Sequence, residues 1–157
     1  MSDKPVYLTR DGKVKLEAEL NELVTVERRN VADRINAAKE LGDISESGEY
    51  EEAKKSQSIL EGRIREIKSM LSLAQIIDED TNGAKEVRIG TSVTVRIDGE
   101  DADETWTIVG SAEASPRDGR ISNESPIGSA ILGQRVGKKV TVQTPSGVMK
   151  VKILKIQ

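Results

Sequence analysis

Seam positions recur at alternating steps of three and four through Tyr50, Ala53, Gln57, Leu60, Ile64, Ile67, Leu71 and Ala74, which lays one stripe along a helix in coiled-coil fashion. Upstream, Leu16, Leu20, Leu23, Val24, Val31, Ile35 and Ala38 make a second stripe that drifts by one residue between Leu23 and Val24. A straight helix pair absorbs such a drift by local changes in supercoil, so one unbroken helix is expected from an N-cap at Thr9 to about Leu41. No proline interrupts residues 6–115. Only Gly42-Asp43-Ile44-Ser45 separates the stripes, and the two segments are expected to fold back as an antiparallel hairpin, each helix roughly 45 Å long. Glu40, Asp43, Glu46, Glu49, Glu51 and Glu52 then crowd the distal end.

Beyond Asp78 the period changes. Residues 78–85 gather turn formers, and alternation of period two follows in Val93, Val95 and Ile97, in Trp106 and Ile108, in Val140 and Val142, and in Met149, Val151 and Ile153. Ser125 before Pro126, with Gly133 beyond, reads as a short capped helix. The expected architecture is α+β: an N-terminal antiparallel coiled-coil hairpin over residues 1–78 with its tip near 42–50, a linker at 79–86, and a C-terminal α+β domain over 87–157.

Composition narrows the chemistry. The 157 residues contain no Cys and no His, which removes disulfides, thiolate and imidazole metal sites and histidine-activated nucleophiles. Two Tyr, one Trp and no Phe leave little surface for stacking bases. A net charge of -3 disfavours a general polyanion binder. No apolar run reaches the length of a membrane span and the first residues carry no secretion signal, so a cytoplasmic protein is expected; the hairpin satisfies both stripes within one chain and favours a monomer. Any hydrolytic chemistry must rest on carboxylates. Asp43 and Glu46, spaced D-x-x-E at a helix start, have two compatible readings: a capping-box arrangement for the second helix, or a pair of acids presented to another molecule.

The run Gly42-Asp43-Ile44-Ser45-Glu46-Ser47-Gly48-Glu49-Tyr50, after Ala38-Lys39-Glu40, resembles the tip signature G-D-L-x-E-N-A-E-Y of the bacterial Gre transcript cleavage factors. The likeness extends to Leu8-Thr9-Arg10-Asp11-Gly12, Ala53-Lys54, Glu61-Gly62-Arg63-Ile64 and residues 73–78, and in the second domain to Ser125-Pro126-Ile127-Gly128 and Thr144-Pro145-Ser146-Gly147. Ser47 and Gly48 depart from it, standing where the family commonly has Asn and Ala.

The resemblance implies a factor that binds bacterial RNA polymerase through its secondary channel and meets the 3′ end of backtracked nascent RNA. It implies that Asp43 and Glu46 are the tip acids that help the polymerase hydrolyse that RNA, with no cofactor stably bound and a Mg2+ ion shared with the polymerase active site. The protein would then be no enzyme by itself. Ser47 and Tyr50 would support the tip, with Tyr50 as first residue of the seam. Arg34, Lys39, Lys54 and Lys55 match an RNA-contacting basic patch on the arm, although interleaved acids make a solvated helix face an equal reading. Ser125, Pro126 and Ile127 match the polymerase-docking loop. The alternative is a Gre-like channel inhibitor without cleavage activity. The second domain also resembles the FKBP fold, but with Trp106 as the only aromatic residue after Tyr50 an isomerase's aromatic basket is not expected.

Overall fold

A computed structural model describes residues 4–42, 48–77 and 83–157. The chain divides into two compact units, one gathering Met1–Lys13 and Ala74–Gln157, the other formed by Val14–Leu73. Periodicity alone assigned everything up to residue 78 to the hairpin. Packing instead gives both ends of that segment to the globular unit, because β1 (Val6–Leu8) and β2 (Ala74–Ile76) pair in parallel and β1 lies against the turn at Ser111–Glu113. Leu8 is fully buried there. The first half of the expected linker, 79–82, falls outside the described residues.

In the hairpin unit the first helical stretch comprises α1 (Arg10–Glu22), a π-helical turn (Leu23–Glu27) and α2 (Arg28–Glu40); the return helix is α3 (Gly48–Ser72). The two strands of helix run antiparallel, with Glu19 meeting Arg63 and Arg28 meeting Glu61. Val31 and Ile35 from α2 interdigitate with Ala53, Leu60 and Ile64 from α3, and Leu20, Leu23, Val24 and Tyr50 pack at their margins. The stripes read from the sequence are therefore the buried faces.

The one-residue drift is not taken up by supercoil. The Arg28 N–H donates to the Leu23 carbonyl, a five-residue spacing that accommodates one extra residue in the turn. An added residue rotates everything beyond it by about 100°. The seam shifts by one residue at this same point, so Val31, Ile35 and Ala38 still face inward, at 8%, 7% and 2% exposure. The Thr25 hydroxyl donates to the Asn21 carbonyl beside the turn.

Two forked ion pairs staple the helices. Arg28 donates Nε–H and Nη2–H to the two Glu61 oxygens at 2.7 Å each, and Arg63 engages Glu19 in the same way at 2.7 and 3.0 Å. The hydrogen bond from Arg28 holds the Glu61 carboxyl below its ordinary range.

The globular unit is built on a five-stranded sheet in the order β5-β4-β3-β7-β6, where β3 is Ser92–Ile97, β4 Asp103–Val109, β5 Arg120–Ser122, β6 Lys139–Thr144 and β7 Gly147–Ile156. All pairings are antiparallel except β4 with β5. The four strands read from alternation appear as β3, β4, β6 and β7. The three-residue strands β1, β2 and β5 were not anticipated, being too short to alternate. The short helix α4 (Pro126–Ile131) packs against β6 and, more lightly, β5, the two edge strands of the sheet. Ser125 caps α4 by accepting the Gly128 N–H at 3.0 Å. Val93, Val95, Trp106, Ile108, Ile131, Val151 and Ile153 form the core. Among the described residues, no buried side-chain polar atom lacks a partner, and no helix is long and apolar enough to cross a membrane.

Two glycines show opposite constraints. Gly62 sits in α3 with open space where a Cβ would project, whereas a Cβ on Gly128 would collide with the Ser122 carbonyl. Gly62→Ala should stabilise the hairpin by about 0.5–1 kcal/mol and Gly128→Ala should cost about 1–3 kcal/mol, both readable from chemical denaturation followed by circular dichroism. A carboxyl held low in the folded state contributes stability above the range where it titrates unfolded, and that contribution disappears as pH falls through the folded value. Glu61→Gln should therefore lower the melting temperature slightly at neutral pH, with the difference from wild type vanishing in acid.

Candidate functional site

The segment joining α2 to α3 holds the two acids singled out from the sequence. Asp43, Glu46 and Ser47 lie outside the described residues. On its flanks, α2 ends at Glu40 and turns through Leu41 into Gly42, whose φ of 106° only glycine adopts at ease. The return begins with Gly48, Glu49 and Tyr50. Tyr50 is half-buried against the hairpin core rather than extended into solvent.

The four cations near this end are exposed: Arg34 and Lys39 on α2, Lys54 and Lys55 on α3. Lys54 donates to the Gln57 side chain at 2.9 Å. Arg34, Lys39 and Lys55 carry no hydrogen bond or ion pair among the described residues, in contrast to Arg28 and Arg63 farther along the hairpin. Among the described residues no group of carboxylates is placed to hold a metal ion. Two carboxylates are the donor chemistry that Mg2+ prefers, yet two alone leave most of an octahedral shell to water or to another molecule.

In the globular unit, Ser125, Pro126 and Ile127 do not stand alone. They line a groove of about 370 Å3 together with Pro116, Ile121, Pro145 and Met149. The start of α4 and the β6–β7 turn both contribute to its lining. The turn is fixed by the Thr144 hydroxyl, which donates to the Gly147 carbonyl at 2.7 Å. Three of the chain's four prolines line this groove, which keeps its walls rigid and mostly apolar. Sequence reasoning named Ser125, Pro126 and Ile127, and noted Thr144-Pro145-Ser146-Gly147 separately. It missed Pro116 and Met149, which carry no local signal and join the groove only through folding. No aromatic side chain lines it: Trp106 is 6% exposed inside the core, its indole N–H donating to Glu104 at 2.9 Å.

A second polar cluster was also missed. Glu113, with its side chain 9% exposed, accepts the Thr9 backbone N–H at 2.6 Å and the Thr9 hydroxyl at 2.7 Å, and pairs with Arg120 at 3.0 Å. Thr9 is the N-cap of α1, its hydroxyl oxygen accepting the Gly12 N–H at 2.9 Å.

The chain thus combines a helical hairpin with a small sheet domain that carries a proline-lined groove. Residues 6–76 match the family model for the N-terminal part of transcription elongation factors, and residues 81–157 the model "Transcription elongation factor, GreA/GreB, C-term". The chain is 71% identical over 157 residues to the transcription elongation factor GreA of Roseiflexus sp. (strain RS-1), with both chains fully covered. It is 50% identical to GreA of Listeria monocytogenes serotype 4a (strain HCC23), covering 99% of this chain and 97% of that one. Among solved structures, the GreA factor homolog 1 protein of Thermus thermophilus aligns at 28% identity with a TM-score of 0.44, over 98% of this chain and 99% of that one. The chain belongs to the GreA/GreB family of transcription elongation factors, and among these it is GreA-like.

The groove lacks the aromatic basket of an FKBP-type isomerase. Addition of the protein to a proline-containing test peptide should leave the rate of cis–trans isomerisation at background, as measured by protease-coupled or NMR exchange assays.

Proposed function

We propose that this elongation factor binds RNA polymerase through its secondary channel and stimulates the polymerase's own endonucleolytic cleavage of the 3′ end of backtracked RNA, returning arrested complexes to elongation. The observation that carries this reading is the retention of Asp43 and Glu46 in the segment between α2 and α3, in a chain 71% identical over its whole length to a protein named GreA.

The parts divide the work. The proline-lined groove, with Ser125, Pro126 and Ile127 on one wall, is the docking surface, because a rigid apolar concavity gains most from receiving an apolar side chain of a partner. The hairpin is the support for the acids: one shared apolar seam and two forked ion pairs, one from α1 and one from α2, hold α3 in register with the first helical stretch. Arg34, Lys39, Lys54 and Lys55 lie exposed near the acidic end and steer the phosphate backbone of displaced RNA towards it. Tyr50 packs below, bracing the start of α3. Asp43 and Glu46 would hold a Mg2+ ion jointly with the polymerase, an ion that supplies charge neutralisation at phosphorus and lowers the pKa of bound water. The carboxylates themselves orient water and exclude other ligands from the reacting phosphate. Presenting them on a stiff element turns a rare encounter into a positioned one, an effect worth several kcal/mol of barrier. The protein acts as a monomer and supplies no complete active site alone.

Wild-type protein added to a purified, stalled polymerase complex with labelled RNA should shorten the transcript; RNA that stays intact while elongation slows would identify an inhibitor instead. Asp43→Ala and Glu46→Ala should each reduce shortening by about tenfold or more while still competing with wild type for polymerase. Ile127→Asp should do the converse, raising the concentration needed for half-maximal cleavage by about tenfold or more, because a charge then enters an apolar contact.

A further inference from the structure

The first turn of α1 carries Asp11 but has no acid at the third helical position. In a capping box, the residue at N3 is Glu or Gln, and its side chain reaches back to the N-cap N–H. Here the N-cap is Thr9 and N3 is Gly12. The space an N3 side chain would take is filled by Glu113: a Cβ on Gly12 would strike the Glu113 carboxylate. That carboxylate then does what the missing N3 acid does, accepting the Thr9 N–H at 2.6 Å and, with its other oxygen, the Thr9 hydroxyl at 2.7 Å. A residue 104 positions away completes the box. Glu113 is fixed in turn from behind, since Arg120 at the start of β5 donates to its carboxylate at 3.0 Å and to its backbone carbonyl at 3.3 Å. Gly110, at the mouth of the same turn, leaves no room for a Cβ against the Tyr7 carbonyl of β1.

A locally capped helix would be satisfied by its own sequence. Here the Thr9 hydroxyl caps Gly12 locally, but the Thr9 N–H is satisfied only while the first turn stays seated in the globular unit, where Met1–Lys13 belongs. The favourable meeting of a carboxylate with a helix N-terminus is thereby spent on attachment.

We propose that Glu113 is a positioning residue for transcript cleavage: its carboxylate, supplying the N3 cap from the docking unit, fastens the root of the hairpin so that docking fixes where the acidic tip is delivered. The inference rests on the reading of the protein as a cleavage factor and assigns to Glu113 no contact with RNA or polymerase.

The test compares wild type, Glu113→Ala, Glu113→Gln and the double variant Gly12→Glu/Glu113→Ala. Maximal cleavage rate and half-saturating concentration on stalled polymerase complexes are measured beside amide exchange at Thr9 and Gly12. Glu113→Ala should speed exchange at both amides and lower the maximal rate about tenfold, with half-saturation moving less than about threefold. Glu113→Gln, whose amide oxygen still accepts from Thr9, should recover part of the rate. The double variant restores a local capping box and should slow Thr9 exchange again, yet remain slow in cleavage because the helix root is capped but untethered. Recovery of wild-type cleavage by the double variant would overturn the proposal, leaving Glu113 a helix cap and nothing more. So would a rise in half-saturation at an unchanged maximal rate, or unchanged amide exchange in Glu113→Ala. Should Glu113→Ala fail to fold by circular dichroism, the Gln and double variants decide the same question. Wild-type protein that shortens no RNA defeats the functional reading itself, an outcome distinct from activity that survives every substitution.

Discussion

Two helices lying side by side have one interface between them and no other interior. Every apolar residue that leaves this interface is exposed, so the hairpin depends on an unbroken seam. That constraint explains why a turn of π-helix sits in the first strand of helix: the apolar stripe slips by one residue after Leu23, and only an added residue in the turn keeps Val31, Ile35 and Ala38 facing α3. The forked pairs Arg28–Glu61 and Arg63–Glu19 lie on the margin of the same seam, where partial exposure keeps each modest in energy and useful mainly for register.

What the sequence disclosed follows from how local each signal is. The α3 seam repeats over many turns, and its buried residues Ala53, Leu60, Ile64 and Ile67 are the ones its spacing names. The α4 cap was equally plain, since Ser125, Pro126 and Gly133 act within a few residues. The strands β3, β4, β6 and β7 alternate long enough to show themselves. By contrast, β1, β2 and β5 are three residues each and are held by partners distant in the chain, so no pattern announces them. The π turn was visible as a slip, yet its form depended on whether the backbone or the supercoil yielded.

The candidate site divides along the same line. Asp43, Glu46 and the Ser125-Pro126-Ile127 run belong to short contiguous motifs and could be named before any fold was known. The groove needed Pro116 and Met149 brought in from other elements. Glu113 was hidden for a different reason: its partner Thr9 reads as an ordinary N-cap, and the only hint was a glycine where a capping box has an acid. A missing residue is a weak signal until the structure shows what stands in its place.

The π turn carries a corollary for chain length. Leu23–Glu27 stores one residue more than a regular helix would need to span the same rise, while α3 opposite stores none. Excising a single residue from that turn would let the backbone relax into plain α-helix with both flanking stripes still in phase, whereas an excision in the middle of α3 would turn about half of its stripe away from the seam. The two sides of the hairpin therefore differ sharply in the indels they tolerate, although they share one seam.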